Sequence, residues 1–342
     1  MSTALPTRFR PGKLLPDDGA PCRLGGVADG YRVVTFDDVR RALEAVGYGW
    51  SHEVRESSGR FSDGTRYRIE IPSTEGPAVF RAVVDEAQRR EVHVQRVSQG
   101  SGVMMLTDSE IGEMVRIGAD HAIEVSLFLG PRAAWGPGGQ AASTSTVAGA
   151  ARGTADLAAC LAEAKRACDL GIRSLLVADV GVLTVLNKAR TMGELPSNLL
   201  FKTSVVLPVA NAATARVLED LGAGTINVAT DLSARQLGEI RSAVSPPLDV
   251  YVEVPDDQGG FVRYYEVPHM VRAAAPMYVK LGVRNSPGIY PTGMHIEDLA
   301  VRLGRERVRR AELCLRLMDE LDPELIEKPG AERPEDLAIP EV

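Results

Sequence analysis

Eight short apolar segments alternate with eight helix-like segments between Tyr67 and Leu321, and this alternation is what most constrains the fold. Strand followed by helix, repeated eight times, predicts an α/β fold, the (β/α)8 TIM barrel, whose parallel strands are buried on both faces. The predicted strands nevertheless carry charged or amide residues, most of them near the C-terminal end: Glu70, Arg96, Glu124, Asp179, Lys202, Asn227, Glu253 and Lys280. Barrels of this kind keep their chemistry at that end of the strands, so the series predicts where a site lies.

The chain divides into three predicted regions. Residues 1–65 form an N-terminal extension, in which TFDDVRRALEAVG (35–47) has a Thr N-cap, early acids and a final Gly, and so predicts a helix that caps the barrel. Residues 66–321 form the barrel itself. Residues 322–342 hold seven acids and two bases, and are expected to be a loosely ordered acidic tail.

One connection is unusually long for a compact domain. Residues 130–153 separate the third strand from its helix and are rich in Gly, Ser and Ala. Because this connection follows a barrel strand, it lies on the functional face, and it favours a mobile lid in which Trp135 covers a substrate. The alternative is a disordered insertion.

Composition excludes several classes of function. The net charge is −7 and aromatic residues make up 5%, which disfavours the basic footprint of a nucleic-acid-binding protein. The sequence has neither a run of about 18 apolar residues nor an apolar segment near its start, so we expect no membrane span and no signal peptide. Four cysteines without a CxxC motif predict reduced thiols in a cytoplasmic protein. The apolar stripe of the long helix 296–321 predicts a homo-oligomer, and we expect a dimer.

Strand alternation groups the polar residues on one face of each strand. Lys202 and Lys280 rank first as catalytic candidates, because burial lowers the pKa of a lysine and allows it to act as a base or form a Schiff base. Proton transfer is assigned to three carboxylates, Glu70, Glu124 and Glu253. The predicted substrate-binding residues are Arg96, Ser98, Gln99, Ser126, Arg132, Trp135, Asp179, Ser204, Asn227, Arg284 and Asn285. The alternative for each charged residue is a structural ion pair inside the barrel.

No cofactor is predicted. A divalent ion, Mg²⁺ or Mn²⁺, on Glu and Asp oxygens is the alternative, although two inward lysines would repel it. The five histidines show neither HxH nor HExxH spacing. The turn SQGSG (98–102) offers free backbone N–H groups, as an anion-binding nest would.

From about Ser174 to Asp319 the chain resembles the TIM-barrel proteins of the U32 peptidase family. The resemblance lies in NAATARVLEDLGAGTINVATDLSARQLGEI (211–240), DVYVEVP (249–255) and YVKLGVRN (278–285), and more loosely in GEMVRIGADHAIEVSLF (112–128). It implies a barrel in which Glu253 corresponds to a family glutamate. The family's cysteine-rich block, which in some members holds iron–sulfur clusters, is missing here, so peptidase activity and a cluster are not implied.

Three functions follow as hypotheses. The first is an enzyme of lyase or isomerase type that acts on a small anionic or polyhydroxy metabolite by Lys and Glu acid–base or Schiff-base chemistry. The second is a U32-type hydrolase or RNA-modification factor. The third is a non-catalytic ligand-binding barrel.

Overall fold

The computed structural model describes residues 36–49, 55–134, 148–207, 209–327, 330 and 333–342. The chain separates into two units, Met1–Ser51 and His52–Val342. In the first unit, helix α1 spans Phe36–Ala45, which confirms the predicted helix. Its role as a cap on the barrel stays a prediction.

The second unit is the predicted barrel, and the described residues form one sheet of eight parallel strands in the order β5-β4-β3-β2-β1-β8-β7-β6. The strands are β1 Tyr67–Pro72, β2 Arg96–Ser98, β3 Glu124–Phe128, β4 Ser174–Val177, β5 Leu200–Thr203, β6 Ile226–Asn227, β7 Leu248–Glu253 and β8 Met277–Leu281. A parallel bridge between Lys202 and Thr225 joins the two end strands and closes the sheet on itself.

Helices connect the strands and cover the outside of the sheet. They are α2 Pro77–Arg90, α3 Asp108–Asp120, α4 Gly153–Asp169, α5 Val180–Thr191, α6 Ala212–Asp220, α7 Ala234–Ala243, α8 Val267–Ala274 and α9 Glu297–Leu321. Side chains cap some of their N-termini: Thr107 and Glu110 form a capping box on α3, and Ser233 and Gln236 form one on α7. The main apolar core lies between these helices and the outward-facing strand residues such as Ile69, Val97 and Val279.

Where the structure describes it, the C-terminal tail packs on the barrel. The expectation of a loosely ordered acidic tail is therefore wrong for these residues. Leu337 and Ile339 are 6% and 4% exposed. The Asp336 carboxylate accepts a hydrogen bond from Arg68 at 2.7 Å, and the Ala338 N–H donates to Glu124 at 3.3 Å. Since Arg68 lies early in β1 and Glu124 begins β3, the tail covers the N-terminal end of the barrel. Buried apolar side chains and paired charges outweigh the acidic composition from which disorder was expected.

The apolar stripe of α9 has a partner within the chain. Its buried residues, which include Ala300, Gly304 and Val308, pack the helix along α2. The stripe therefore gives no support to a dimer, and the oligomeric state stays a prediction. The described cysteines, Cys160, Cys168 and Cys314, are buried free thiols. None of the helices in the described part of the chain combines the length and the apolar character that a membrane span requires.

Candidate active site

A layer of buried charges crosses the middle of the barrel. We call it the charge layer; its members have no exposed surface and are Glu70, Arg96, Glu124, Lys202 and Asp249. Arg96 lies 2.7 Å from Glu70, 3.6 Å from Glu124 and in contact with Asp249. Lys202 lies 2.9 Å from Glu70 and also contacts Asp249. These groups satisfy one another, as buried charges must.

The pKa values in the charge layer follow from its packing. Burial alone would raise the pKa of Glu70, but Arg96, Lys202 and Lys280 outweigh it and hold that pKa well below 4.5. Burial, with the positive charges of Arg96 and Lys280, lowers the pKa of Lys202 to about 8 despite its two carboxylates. Glu70 therefore stays an anion, and it anchors the cations around it.

Above the charge layer, at the C-terminal ends of the strands, lies a cavity of about 270 Å³ that we call the mouth cavity. Its walls combine apolar and hydrogen-bonding side chains with two cations among the described residues, Lys280 and Arg132. The lining residues that the argument uses are Ser73, Ser98, Asn227, Tyr251, Lys280 and Tyr290. A cavity of this size suits a small metabolite.

Lys280 joins the mouth cavity to the charge layer. Its ammonium nitrogen lies 3.4 Å from Oε1 of Glu70 and 4.2 Å from the centre of the Tyr251 ring. When the Asn227 amide is oriented to satisfy its neighbours, its oxygen accepts from Lys280 at 2.7 Å and its nitrogen donates to the Asp249 carbonyl at 3.2 Å. Lys280 is thus held from below while its amine borders the space where a ligand fits.

The structure brings part of the predicted site together. Six of the predicted residues line the mouth cavity: Lys280, Ser98, Gln99, Arg132, Ser204 and Asn227. Four others lie beneath it in the charge layer: Lys202, Glu70, Glu124 and Arg96. Ser126 is buried beside Ser98 on the neighbouring strand, outside the cavity lining. The alternative of structural ion pairing therefore describes the charge layer better than direct contact with a substrate.

Glu253 does not face the mouth cavity, which corrects its predicted position. An irregularity between Tyr251 and Glu253 shifts the register of β7 against β8, and such a bulge turns the following side chain to the opposite face. Glu253 consequently accepts hydrogen bonds from the Tyr264 hydroxyl and, at 2.9 Å, from the Arg284 N–H.

Three more predicted residues have other surroundings. Asp179 is the N-cap of α5 and accepts from the Val182 N–H at 2.9 Å. Arg284 and Asn285 are exposed, and both lie against Asp256. All three residues follow strands, as predicted. However, Asp179 caps a helix, and Arg284 and Asn285 contact a neighbouring loop, so their polar atoms are used there. Trp135 and residues 135–147 of the predicted lid lie outside the described residues.

The predicted anion nest is already occupied by a side chain of the chain itself. The Glu75 carboxylate accepts from the N–H groups of Gly100 and Ser101 at 2.6 and 2.9 Å. The Gln99 side chain accepts from the Gly102 N–H at 3.0 Å. Residues 98–102 therefore bind an anion, but it is Glu75, whose pKa is raised by burial. Among the described residues, no group of three or more His, Cys, Asp or Glu side chains is arranged to hold a metal ion.

Sequence reasoning missed several residues of the site. Asp249 completes the charge layer. Strand alternation could have identified it, because Asp249 and Tyr251 lie on the same face of β7. Ser73 directly follows β1, but alternation groups it with the outward-facing Ile69, and only its φ of 58° takes it out of that pattern. Tyr290 comes from the irregular loop after β8, where periodicity carries no information.

The fold and the site define a TIM-barrel protein with an internal charge layer and a lysine at its mouth. The model of Peptidase family U32 matches residues 146–254, about one third of the chain, which confirms the expected resemblance over this segment. The segment includes Lys202 and Asn227, but Lys280 lies outside it.

Solved structures give further likenesses. The U32 peptidase Mk0906 is 18% identical, covers 70% of this chain and 100% of its own, and has a TM-score of 0.39. A thiamine phosphate pyrophosphorylase from Pyrococcus furiosus is 11% identical, with 74% and 96% covered and a TM-score of 0.38. The carboxyl transferase domain of a pyruvate carboxylase from Rhizobium etli is 14% identical, with 92% and 58% covered and a TM-score of 0.41. No curated protein sequence matches this chain significantly. The assignment of a barrel rests on the strand order of the chain itself.

Proposed function

We propose that this barrel is an enzyme of lyase or isomerase type, in which Lys280 forms a Schiff base with a small anionic or polyhydroxy carbonyl compound. The observation that carries the proposal is the position of Lys280, whose amine borders the mouth cavity while Glu70 and Asn227 hold it from behind. Lys202 has no exposed surface and two carboxylate partners, so it is the weaker nucleophile of the two.

The lining of the mouth cavity matches this class of substrate. Arg132, 3.7 Å from the Phe128 ring, supplies a positive charge for a carboxylate or phosphate. Ser98, Ser204 and Asn227 supply hydroxyl and amide groups for substrate hydroxyls. The Lys280 nitrogen attacks the carbonyl carbon, and one of its protons moves to the carbonyl oxygen to give a carbinolamine. A second proton, supplied by an acid, lets this hydroxyl leave as water, and the resulting iminium withdraws electrons from the bond beside it.

Reductive trapping tests the proposal. The protein is incubated with pyruvate or with glyceraldehyde, reduced with borohydride, digested and examined by mass spectrometry. We expect one reduced adduct, on the peptide that carries Lys280. Lys280→Met should abolish the adduct, and Lys188→Met, at an exposed lysine, should leave it unchanged. An adduct on Lys202 instead, or none with either compound, would contradict the proposal.

The second candidate is a hydrolase acting on peptides, favoured by the match of residues 146–254 to Peptidase family U32. A cavity of about 270 Å³ has room for one or two residues of a peptide, so cleavage would have to occur at a chain end. Release of amino acids from short peptides, lost in Lys280→Met, would support it over the Schiff-base enzyme if no adduct forms.

A further inference from the structure

Ser73 and Tyr290 meet at the rim of the mouth cavity. Their hydroxyl groups share a hydrogen bond, and both residues line the cavity with Lys280. Ser73 directly follows β1 and has a φ of 58°, a left-handed conformation that non-glycine residues seldom adopt. Strained backbone of this kind is held in place by its surroundings and clusters at functional sites.

Three loops fix the position of Tyr290. The Tyr290 ring packs on Gly100 so closely that a Cβ there would lie 2.4 Å from the ring. Two residues further along, the Thr292 N–H donates to Oγ of Ser101 at 2.8 Å. The Glu75 carboxylate then holds Gly100 and Ser101 by their N–H groups. Hydrogen bonds and close packing thus join the loops after β1, β2 and β8 around Tyr290, as a preorganised site requires.

The surroundings also determine the charge state of Tyr290. Tyr290 is 39% exposed as a residue, but burial of its phenol group among these loops, reinforced by Glu75 and Tyr251, raises the pKa of the phenol above the ordinary 10.0. Arg307 and the Ser73 hydrogen bond oppose this shift. The phenol is therefore protonated at neutral pH, and the anion it leaves after giving up a proton is a strong base.

We propose that Tyr290 is the proton-transfer residue of the Lys280 site and that Ser73 positions its hydroxyl group; this inference rests on the proposed Schiff-base function. When the carbinolamine on Lys280 breaks down, the Tyr290 proton joins the leaving hydroxyl to form water, and the nitrogen lone pair forms the C=N bond. The tyrosinate then takes a proton from the carbon beside the iminium. The C–H electrons form the C=C bond of the enamine, and the C=N electrons return to nitrogen. Tyr290 ends protonated again, and no oxidant or reductant is needed.

Two measurements with pyruvate separate this role from that of Lys280. Borohydride trapping after long incubation reports the iminium, and exchange of the pyruvate methyl protons for deuterium, followed by proton NMR, reports proton transfer. We expect Tyr290→Phe to form the trapped adduct and to lose about 100-fold or more in exchange rate. Tyr265→Phe, which removes the same hydroxyl from a residue that is 73% exposed, should leave both measurements unchanged.

Ser73→Ala tests the positioning role. We expect it to lower the exchange rate at saturating pyruvate about 10-fold, with the half-saturating pyruvate concentration unchanged, because the phenol keeps its place less well while the binding groups remain. Several outcomes would overturn the inference. If the wild type traps pyruvate without exchanging it, or Tyr290→Phe exchanges at the wild-type rate, Tyr290 has another role while the Schiff-base proposal stands. If Tyr290→Phe loses the adduct as well, its role is structural. If the wild type forms no adduct, both proposals fall.

Discussion

The ammonium nitrogen of Lys202 lies 2.9 Å from Oε2 of Glu70, and the two side chains, 132 residues apart in the chain, have no exposed surface. This pair joins β5 to β1 across the inside of the barrel, where no water competes for either charge. Taking such charges out of water is costly, so each depends on the presence of the other. Lys202 is therefore primarily a structural residue.

Removing the Lys202 charge should therefore destabilise the fold strongly. Lys202→Met leaves Glu70 and Asp249 without one of their cations, and we expect a loss of about 3–5 kcal/mol in the free energy of unfolding, measured by chemical denaturation. The matched control is Lys165→Met, which breaks an ion pair with Glu194 whose side chains are 42% and 56% exposed. That variant should be destabilised far less, because exposed ion pairs contribute little to stability. Equal losses would show that the buried pair contributes no more than a surface pair.

The charge layer should also produce a characteristic loss of stability in acid. The pKa of Glu70 is well below 4.5 in the folded protein, so its contribution to stability is complete above the ordinary pKa of 4.5. Below that pH the unfolded chain binds a proton that the folded one does not, and the contribution is lost as the pH falls through the lower, folded pKa. Denaturation midpoints below pH 4.5 should fall more steeply for the wild type than for Glu70→Gln. The exposed Glu320→Gln should keep the wild-type slope.

Glu253 should matter for stability and not for carbonyl trapping. Glu253→Ala removes the acceptor of the Tyr264 hydroxyl and the Arg284 N–H, two partly buried hydrogen bonds. We expect a loss of about 1–3 kcal/mol in the free energy of unfolding, measured by chemical denaturation. Since Glu253 lies outside the lining of the mouth cavity, the adduct on Lys280 should still form in the folded variant. Loss of the adduct together with unchanged stability would show that Glu253 acts in the site after all.

Strand alternation predicted much of the barrel interior correctly, because side chains in a strand point to two faces in turn. Ser98, Ser204, Asn227 and Lys280 reach the mouth cavity as that argument requires. Alternation does not predict, however, how far along the barrel axis a side chain lies. Lys202 and Lys280 have similar positions in their strands, but Lys202 is fully buried in the charge layer while Lys280 lines the mouth cavity.

Strand alternation could not predict contacts between segments that are distant in the sequence. The bulge in β7 reverses Glu253, and a one-residue slip of this kind leaves no mark on the hydrophobic pattern. The capture of residues 98–102 by Glu75 and the packing of the tail depend on segments far apart in the chain. Composition described the tail as polar, whereas two apolar side chains, Leu337 and Ile339, determine its packing.

The tail should be a necessary part of the barrel. Deleting residues 333–342 removes Leu337 and Ile339, each contributing about 1.5–3 kcal/mol when buried, and uncovers the surface against which they pack. It also removes the Asp336 partner of Arg68. We expect a loss of more than about 3 kcal/mol in the free energy of unfolding. Deleting Val342 alone, which is 89% exposed, should change little. A stable barrel without residues 333–342 would mean that the tail merely rests on its surface.

Gly100 should be irreplaceable for the site while having little effect on the fold. A Cβ at this position would lie 2.4 Å from the Tyr290 ring, so Gly100→Ala must displace either the ring or the loop after β2. We expect the variant to unfold at nearly the wild-type denaturant concentration, because Tyr290 lies at the rim and is 39% exposed. Trapping of pyruvate on Lys280 should persist while deuterium exchange falls, since the phenol no longer reaches the carbon beside the iminium.

Gly288→Ala, in the same loop as Tyr290 but with open space around its Cβ, is the control and should keep the wild-type exchange rate. If Gly100→Ala exchanges deuterium as fast as the wild type, the close packing of Tyr290 on Gly100 has no part in positioning the hydroxyl.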